Sequence, residues 1–282
     1  MLLNEFLRQK PLFYNEIDYN RMPDCWNSIK NGFKKPKKII HIIGTNGKGS
    51  TGRFLATYLK NMGFRVGHYS SPHIQKFNER IWLNGRDVND EELEKAHKFL
   101  QNSISKKYLQ SLSYFEYTTL LAMRCFDGFD YVVLEAGLGG EKDATSVFDR
   151  DLTLVTPIDF DHQSFLGNSI KEIATTKLNS IKNRAIIGKQ LHNEVYELTE
   201  RYPFYRDYFD NYEIKEIRDF VKKHSFASYL EDNLILALSC IVDEELEFNL
   251  KYLKGIKKQL KGRLEKIDDN IFIDVGHNPL AA

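Results

Sequence analysis

The sequence predicts an α/β protein built on a doubly wound, mostly parallel sheet. Three observations predict it. Short, nearly all-apolar segments recur at residues 39–43, 131–136, 152–156 and 184–187. Strands without polar alternation are buried on both faces, the habit of parallel sheets covered by helices. Helical patterns separate these segments, so strand and helix alternate along the chain. Finally, the first strand runs directly into a glycine-rich turn and a helix.

The elements follow in order. Residues 1–30 read as one or two short helices rich in Phe, Tyr and Leu. Ile39–Ile43 is a strand, Gly49–Met62 a helix ended by Gly63, and Arg65–Ser70 a second strand. Val88–Ser103 reads as a helix opened by Asn89 and Asp90, good capping types. Tyr114–Phe126 is another helix, and Tyr131–Ala136, Leu152–Thr156 and Arg184–Ile187 are further strands. Ser169–Lys182 and Ser225–Val242 are helices; residues 195–224 show no clear order. Leu264–Ile267 and Ile271–Val275 look like two strands around Asp268-Asp269-Asn270, opening a second α/β domain.

The 282 residues are 42% hydrophobic and 28% charged, enough to bury a sizeable core. A net charge of +1 gives no global pull toward nucleic acid or a membrane surface. Cys25, Cys125 and Cys240 are far apart and odd in number, which suggests neither a disulfide framework nor a zinc site. The first ten residues lack the apolar core of a signal peptide, and no apolar run is long enough to span a bilayer. A soluble cytoplasmic protein is expected.

Gly44-Thr45-Asn46-Gly47-Lys48-Gly49-Ser50-Thr51 follows the first strand. Glycines let backbone N–H groups curl around phosphate oxygens, the helix N-terminus adds partial positive charge, and Lys48 adds a full one. This is a phosphate cradle for a nucleoside triphosphate, although its spacing is not that of the common P-loop.

Three more strand-end loops carry unusual chemistry. Ser70-Ser71-Pro72-His73 follows the second strand; a serine there either reaches a magnesium ion or bonds the turn backbone. Glu135 ends the next strand before Gly137-Leu138-Gly139-Gly140, a good position for magnesium on a nucleotide. Asp159-Phe160-Asp161-His162 follows the fourth, where His162 is either structural or a metal ligand. Lys177 falls inside the apolar stripe of Ile170, Ile173, Ala174 and Ile181. It either snorkels to the surface or is desolvated and easily modified.

Together these segments resemble the folylpolyglutamate synthase/dihydrofolate synthase family of the Mur ligase superfamily. The match runs from about residue 38 to the end and includes Phe115-Glu116-Tyr117-Thr118-Thr119, Glu135–Ser146, Gly262-Arg263-Leu264-Glu265 and Asp274–Pro279. The resemblance implies an ATP-dependent ligase that joins L-glutamate to dihydropteroate or folate through an acyl phosphate. It implies that Gly44, Thr45, Asn46, Gly47, Lys48, Gly49, Ser50 and Thr51 bind ATP, together with Asn233, Arg263, Asp274 and His277. Ser71, Glu135 and His162 would hold Mg2+. Lys177 would be carbamylated and, with Lys48 and His162, catalytic. Ser71, Pro72, His73, Phe115, Thr118 and Asp143 would lie at the pterin-bearing substrate. The implied division is an ATP-binding domain at 1–255 and the opening strands of a glutamate-ligase domain at 256–282, in a monomer whose partners are small molecules.

The chain departs from the family pattern in places. Glu141 stands where an arginine is usual, with Lys142 beside it, and Thr176 stands where a glutamate usually precedes the special lysine. Asp274-Val275-Gly276-His277-Asn278-Pro279 replaces Asp-Gly-Ala-His-Asn-Pro, and only the opening of the second domain is present. A peptidoglycan-precursor ligase would favour Gly-Lys-Thr-Thr at the loop, and a GTPase would carry Asn-Lys-x-Asp. A non-catalytic nucleotide-binding remnant is the alternative from another class.

Overall fold

A computed structural model describes residues 1–11, 18–260, 262, 265–268 and 271–274. Helices α1 (Leu3–Arg8) and α2 (Arg21–Ile29) precede β1 (Lys38–Ile43), α3 (Lys48–Asn61) and β2 (Val66–Tyr69). A short hairpin, β3 (Ile81–Leu83) and β4 (Arg86–Asp87), leads to α4 (Asp90–Ser103), α5 (Lys106–Ser111) and α6 (Tyr114–Cys125). Then come β5 (Tyr131–Glu135), β6 (Leu152–Val155), α7 (Gln163–Leu166), α8 (Ile170–Leu178) and β7 (Arg184–Ile187). Helices α9 (Asn193–Thr199), α10 (Asn211–Lys223) and α11 (Tyr229–Asp243) follow, and β8 (Glu265–Asp268) pairs antiparallel with β9 (Ile271–Ile273).

Seven strands form one sheet in the order β4-β3-β2-β5-β1-β6-β7. The five from β2 to β7 in that order are parallel, and β3 and β4 add an antiparallel edge. The chain leaves β1 for β2, returns to β5, then crosses β1 to reach β6 and β7. Winding therefore reverses around β1, and ligands of open α/β sheets bind outside the carboxyl ends of the strands at such a reversal.

Alternation along β1 divides the core. Ile40 and Ile42 join a layer with Phe54 and Tyr58 of α3 and Leu234 and Leu238 of α11. On the other face Ile39 joins Leu120 and Leu121 of α6, while Ile43 joins Ile173 and Ala174 of α8. Burying each such aliphatic side chain contributes about 1.5–3 kcal/mol, so the sheet is held from both sides. His41, fully buried, occupies the slot between Ile39 and Ile43.

Helix ends differ from the sequence expectation where side chains cap them. The Asn89 side chain accepts the Glu92 N–H at 2.8 Å, so α4 starts at Asp90 and not at Val88. The helix expected over Ser169–Lys182 ends at Leu178, which puts Lys177 in its last turn. Ile181 lies beyond that helix yet still packs against its layer. Residues 195–224, unassigned from sequence, include most of α9 and all of α10, which Asp210 caps through the Glu213 N–H at 2.8 Å. Ser225 adopts a φ of 54°, outside helical geometry, so α11 begins at Tyr229 and not at Ser225. The hairpin β3–β4 was not foreseen; its Asn84-Gly85 turn has φ values of 48° and 115°. Leu264, Val275 and the Asp269-Asn270 part of the expected turn lie outside the described residues. Among the described residues no helix is long and apolar enough to cross a membrane.

Candidate active site

The loop after β1 is shaped by two close approaches. A Cβ on Gly44 (φ 135°) would stand 2.1 Å from Thr156 Oγ1, and one on Gly47 (φ 85°) would stand 2.5 Å from Asn233 Oδ1. Only glycine fits either position. The Thr45 N–H donates to the Pro157 carbonyl at 2.7 Å and its hydroxyl to the Asp159 carbonyl at 3.0 Å, tying the loop to the segment after β6. On the other side, Asn233 Nδ2 donates to Ser50 Oγ at 3.0 Å, so α11 braces the start of α3. Asn46, Gly47 and Gly49 are part-exposed, whereas Lys48 is buried. Its ammonium donates to the carbonyls of Gly44 (3.1 Å) and Thr45 (2.8 Å).

Lys177 reaches the same loop from α8. Its Nζ donates to the Gly44 carbonyl at 3.2 Å and to the Leu138 carbonyl at 2.8 Å. Two lysine amines thus share one backbone acceptor. Burial, then the charge of Lys48, lowers the Lys177 pKa to about 7, with Asp161 and Asp143 opposing the shift. The side chain has no exposure, so the snorkelling alternative is excluded. The usual partners of a buried amine, carboxylates in ion-pair contact, are absent for both lysines among the described residues.

The Gly137–Ser146 loop that supplies the Leu138 carbonyl is organised by Asp143. One carboxylate oxygen accepts from the N–H groups of Leu138 and Gly139, the other from the N–H and hydroxyl of Thr145. Asp143, expected at the substrate, therefore has four hydrogen bonds within its own loop. Glu141 is exposed and Lys142 lies over the Tyr19 ring at 3.7 Å.

Glu135 ends β5 beside the phosphate loop at 5% exposure, and the Ser71 N–H donates to its Oε2 at 3.2 Å. The family resemblance groups Ser71 and Glu135 at a metal ion; in the structure the Ser71 backbone lies within hydrogen-bond distance of the Glu135 carboxylate. His73 accepts from Arg80 Nε at 2.8 Å; burial and the Arg80 charge lower its pKa. Thr118 is fully buried, its hydroxyl 3.0 Å from the Tyr69 hydroxyl, and the Phe115 ring closes against Gly137, where a Cβ would stand 2.6 Å away. Phe115, Thr118 and the Ser71–His73 turn thus flank the two loops.

His162 opens α7 at a φ of 46° and lies 3.4 Å from Asp161, whose charge also reaches Lys177. Neighbouring Asp159 instead holds His192 at 2.9 Å, a contact with no sequence signal. Asp274 is exposed and accepts from the Tyr229 hydroxyl at 3.3 Å. Arg263 and His277 lie outside the described residues.

No group of three or more His, Cys, Asp or Glu side chains assembles among the described residues. Magnesium usually takes one or two protein carboxylates and completes its shell with water and phosphate oxygens. A nearly buried Glu135 at the mouth of a phosphate-shaped glycine turn suits such a partial set.

A parallel α/β sheet with a glycine-rich loop at its winding reversal and a buried lysine aimed into it defines a protein of the Mur ligase fold. No family model matches the chain. Curated relatives are dihydrofolate synthase/folylpolyglutamate synthases. That of Haemophilus influenzae is 43% identical over 155 residues, covering 54% of this chain and 35% of the relative. Those of Buchnera aphidicola from Baizongia pistaciae and from Schizaphis graminum are 32% and 34% identical, covering 90% of this chain and 64% and 65% of theirs. Among solved structures, Helicobacter pylori folylpolyglutamate synthetase superposes with a TM-score of 0.82 at 37% identity, over 99% of this chain and 72% of that one. E. coli FolC in complex with DHPP and ADP gives 0.81 at 26% identity, over 100% and 72%. The chain belongs to the dihydrofolate synthase/folylpolyglutamate synthase family. It spans between about a third and two thirds of the length of the curated relatives it matches first.

Proposed function

We propose that this chain carries the nucleotide-binding and phosphoryl-transfer machinery of an ATP-dependent ligase that adds L-glutamate to dihydropteroate, to reduced folates, or to both. The observation that carries the reading is the convergence of Lys48 and Lys177 on the Gly44 carbonyl, at the end of the central strand. FolC was solved with ADP and DHPP, and a related synthase as an FPGS-AMPPCP-folate complex, which supports these substrates here.

In the proposed reaction a carboxylate oxygen of the acceptor attacks the γ-phosphorus of ATP and ADP leaves. The amine nitrogen of glutamate then attacks the acyl carbon, phosphate leaves with the former carboxylate oxygen, and the amine gives up its proton. Gly44 to Thr51 cradle the phosphates, and Lys48 turns its ammonium from its own loop carbonyls to the transferring group. Ser71, Glu135 and His162 would hold Mg2+, which when bound neutralises phosphate charge. Phe115, Thr118 and the Ser71–His73 turn face the pterin-bearing acceptor. Asn233, Asp274, Arg263 and His277 are assigned to the nucleotide, with residues 1–255 as its domain and 256–282 as the opening of a second.

Lys177 has a further role in this reading. An amine with a pKa of about 7 is substantially neutral at neutral pH. Its nitrogen can attack the carbon of CO2 and lose a proton, giving a carbamate that adds a carboxylate-like group at the loop. A net charge of +1 supports small-molecule partners over nucleic acid or membrane, and we place the protein in the cytoplasm as a monomer. The test is phosphate release from ATP and Mg2+ with dihydropteroate or a reduced folate. Release that needs both acceptor and glutamate is expected; release indifferent to either would overturn the reading.

A further inference from the structure

His41 fills a slot on β1 where the flanking Ile39 and Ile43 would predict another aliphatic side chain. Its Nε2 lies 2.8 Å from Thr145 Oγ1. That hydroxyl in turn lies 2.6 Å from Asp143 Oδ1, and it donates there, because a carboxylate has no proton to give. With its single proton committed, the Thr145 oxygen accepts from His41, which assigns the imidazole as the Nε2–H tautomer. Burial and the charges of Arg150 and Lys182 keep the ring neutral. Its Nδ1 is accordingly a bare acceptor, buried without a hydrogen-bond partner among the described residues.

The bonds continue beyond Asp143. Its Oδ2 accepts the Gly139 N–H at 3.1 Å, and the carbonyl of the same peptide group, that of Leu138, accepts from Lys177 Nζ at 2.8 Å. A trans peptide is planar with its N–H and C=O on opposite sides. Fixing the N–H on Asp143 therefore fixes where the carbonyl points. Gly139 has a φ of 77°, and a Cβ there would stand 3.1 Å from Lys177 Nζ, so the plane lies hard against the amine.

We propose that His41 and Thr145 are positioning residues: through Asp143 they set the Leu138–Gly139 peptide plane, whose carbonyl holds the Lys177 amine at the phosphate loop. The bond from His41 to Thr145 joins the middle of the core sheet to the Gly137–Ser146 loop across 104 residues of sequence. Its geometry stands independently, while its consequence for turnover rests on the ligase reading above.

The test compares Thr145→Val, which keeps shape and loses the hydroxyl, with Thr145→Ser, which keeps the hydroxyl. Two readouts are taken on the full chain: amide hydrogen exchange at Leu138 and Gly139, and kcat and KM for ATP in the ligation assay. Thr145→Val is expected to speed exchange at both amides roughly tenfold and to lower kcat roughly tenfold with KM within about twofold, as loss of a bond to a buried charged acceptor implies. Thr145→Ser should restore both readouts to within about threefold. His41→Leu and His41→Gln read the same link from the other end, since glutamine keeps a donor at that reach. Combining His41→Leu with Thr145→Val should add little to the single effect, because one broken link empties the other. Unchanged amide exchange in both Thr145→Val and His41→Leu would overturn the relay, as would full additivity. If wild-type chain shows no ligation, the exchange arm still decides the relay while the ligase reading fails alone.

Discussion

At the amino ends of the strands, Lys38 meets Glu244 at 3.1 Å and Arg184 meets Asp243 and Glu244 at 2.6 and 2.7 Å. At the carboxyl ends, Lys48 and Lys177 donate to the carbonyl of Gly44 instead. The first set has neutralised its charges within the protein and contributes to stability. The second set leaves its cations with backbone dipoles as partners, so an anion can still claim the charge. Cations held by carbonyls at a winding reversal are therefore the better mark of a phosphate site than the number of cations nearby.

The largest effect that can break this contrast is on chemistry. Lys48→Ala should lower ATP turnover by roughly a thousandfold, the upper range for removing one preorganised donor to a transferring group. Steady-state phosphate release measures it, and unchanged turnover would remove the phosphate-loop assignment. Lys177→Ala should abolish ligation, a fall of at least about a hundredfold, while circular dichroism and the thermal transition stay native-like. In the wild type, 13C-bicarbonate should give a carbamate resonance that this variant lacks; an equal resonance in both would dissociate the carbamate from Lys177.

Stability sharpens the comparison next. The unfolded chain holds the Lys177 proton up to about pH 10.5, the folded chain only up to about 7. The unfolded state thus binds more protons between those values, so unfolding free energy should rise with pH across that window and be lowest below it. Urea titrations of Lys177→Met in bicarbonate-free buffer should lose that slope and show a gain of about 2 kcal/mol at pH 7. A wild-type curve flat from pH 7 to 10 would show the amine to be unperturbed.

Gly47→Ala tests the cradle itself. A φ of 85° and a contact of 2.5 Å with Asn233 Oδ1 should cost about 2 kcal/mol and weaken ATP binding. Chemical denaturation and calorimetric titration read the two parts. The smallest change belongs to the amino end, where Arg184→Ala should shift stability by no more than about 1 kcal/mol and leave ATP affinity untouched. A large loss of affinity there would erase the distinction between the two ends.

Much of this site was legible because its signals are local. Gly44–Thr51 sits within one strand–turn–helix, and the position of Lys177 among Ile170, Ile173 and Ala174 followed from helical spacing alone. The end of α8 was less legible, since turn bonds from Ser180 to Lys177 and Ile181 to Leu178 replace helical ones after an unbroken apolar pattern. Asn84-Gly85 was a readable hairpin signal, obscured by strands of three and two residues. The pairing of Arg21 with Glu116, at 2.9 Å and 95 residues apart, depends on chain segments that meet only in the fold. For His41 the signal was a polar residue in an all-aliphatic strand, readable as an oddity but with no partner visible in the sequence.

The most direct test of the central claim follows one oxygen. An acceptor carrying 18O in its carboxylate is incubated with this chain, ATP, Mg2+ and glutamate, and the released phosphate is weighed by mass spectrometry. Transfer of one 18O into each phosphate is predicted, because the carboxylate oxygen that attacks the γ-phosphorus leaves with it. Phosphate that forms at the same rate but carries no label would show that water, and not the acceptor, had received the phosphoryl group.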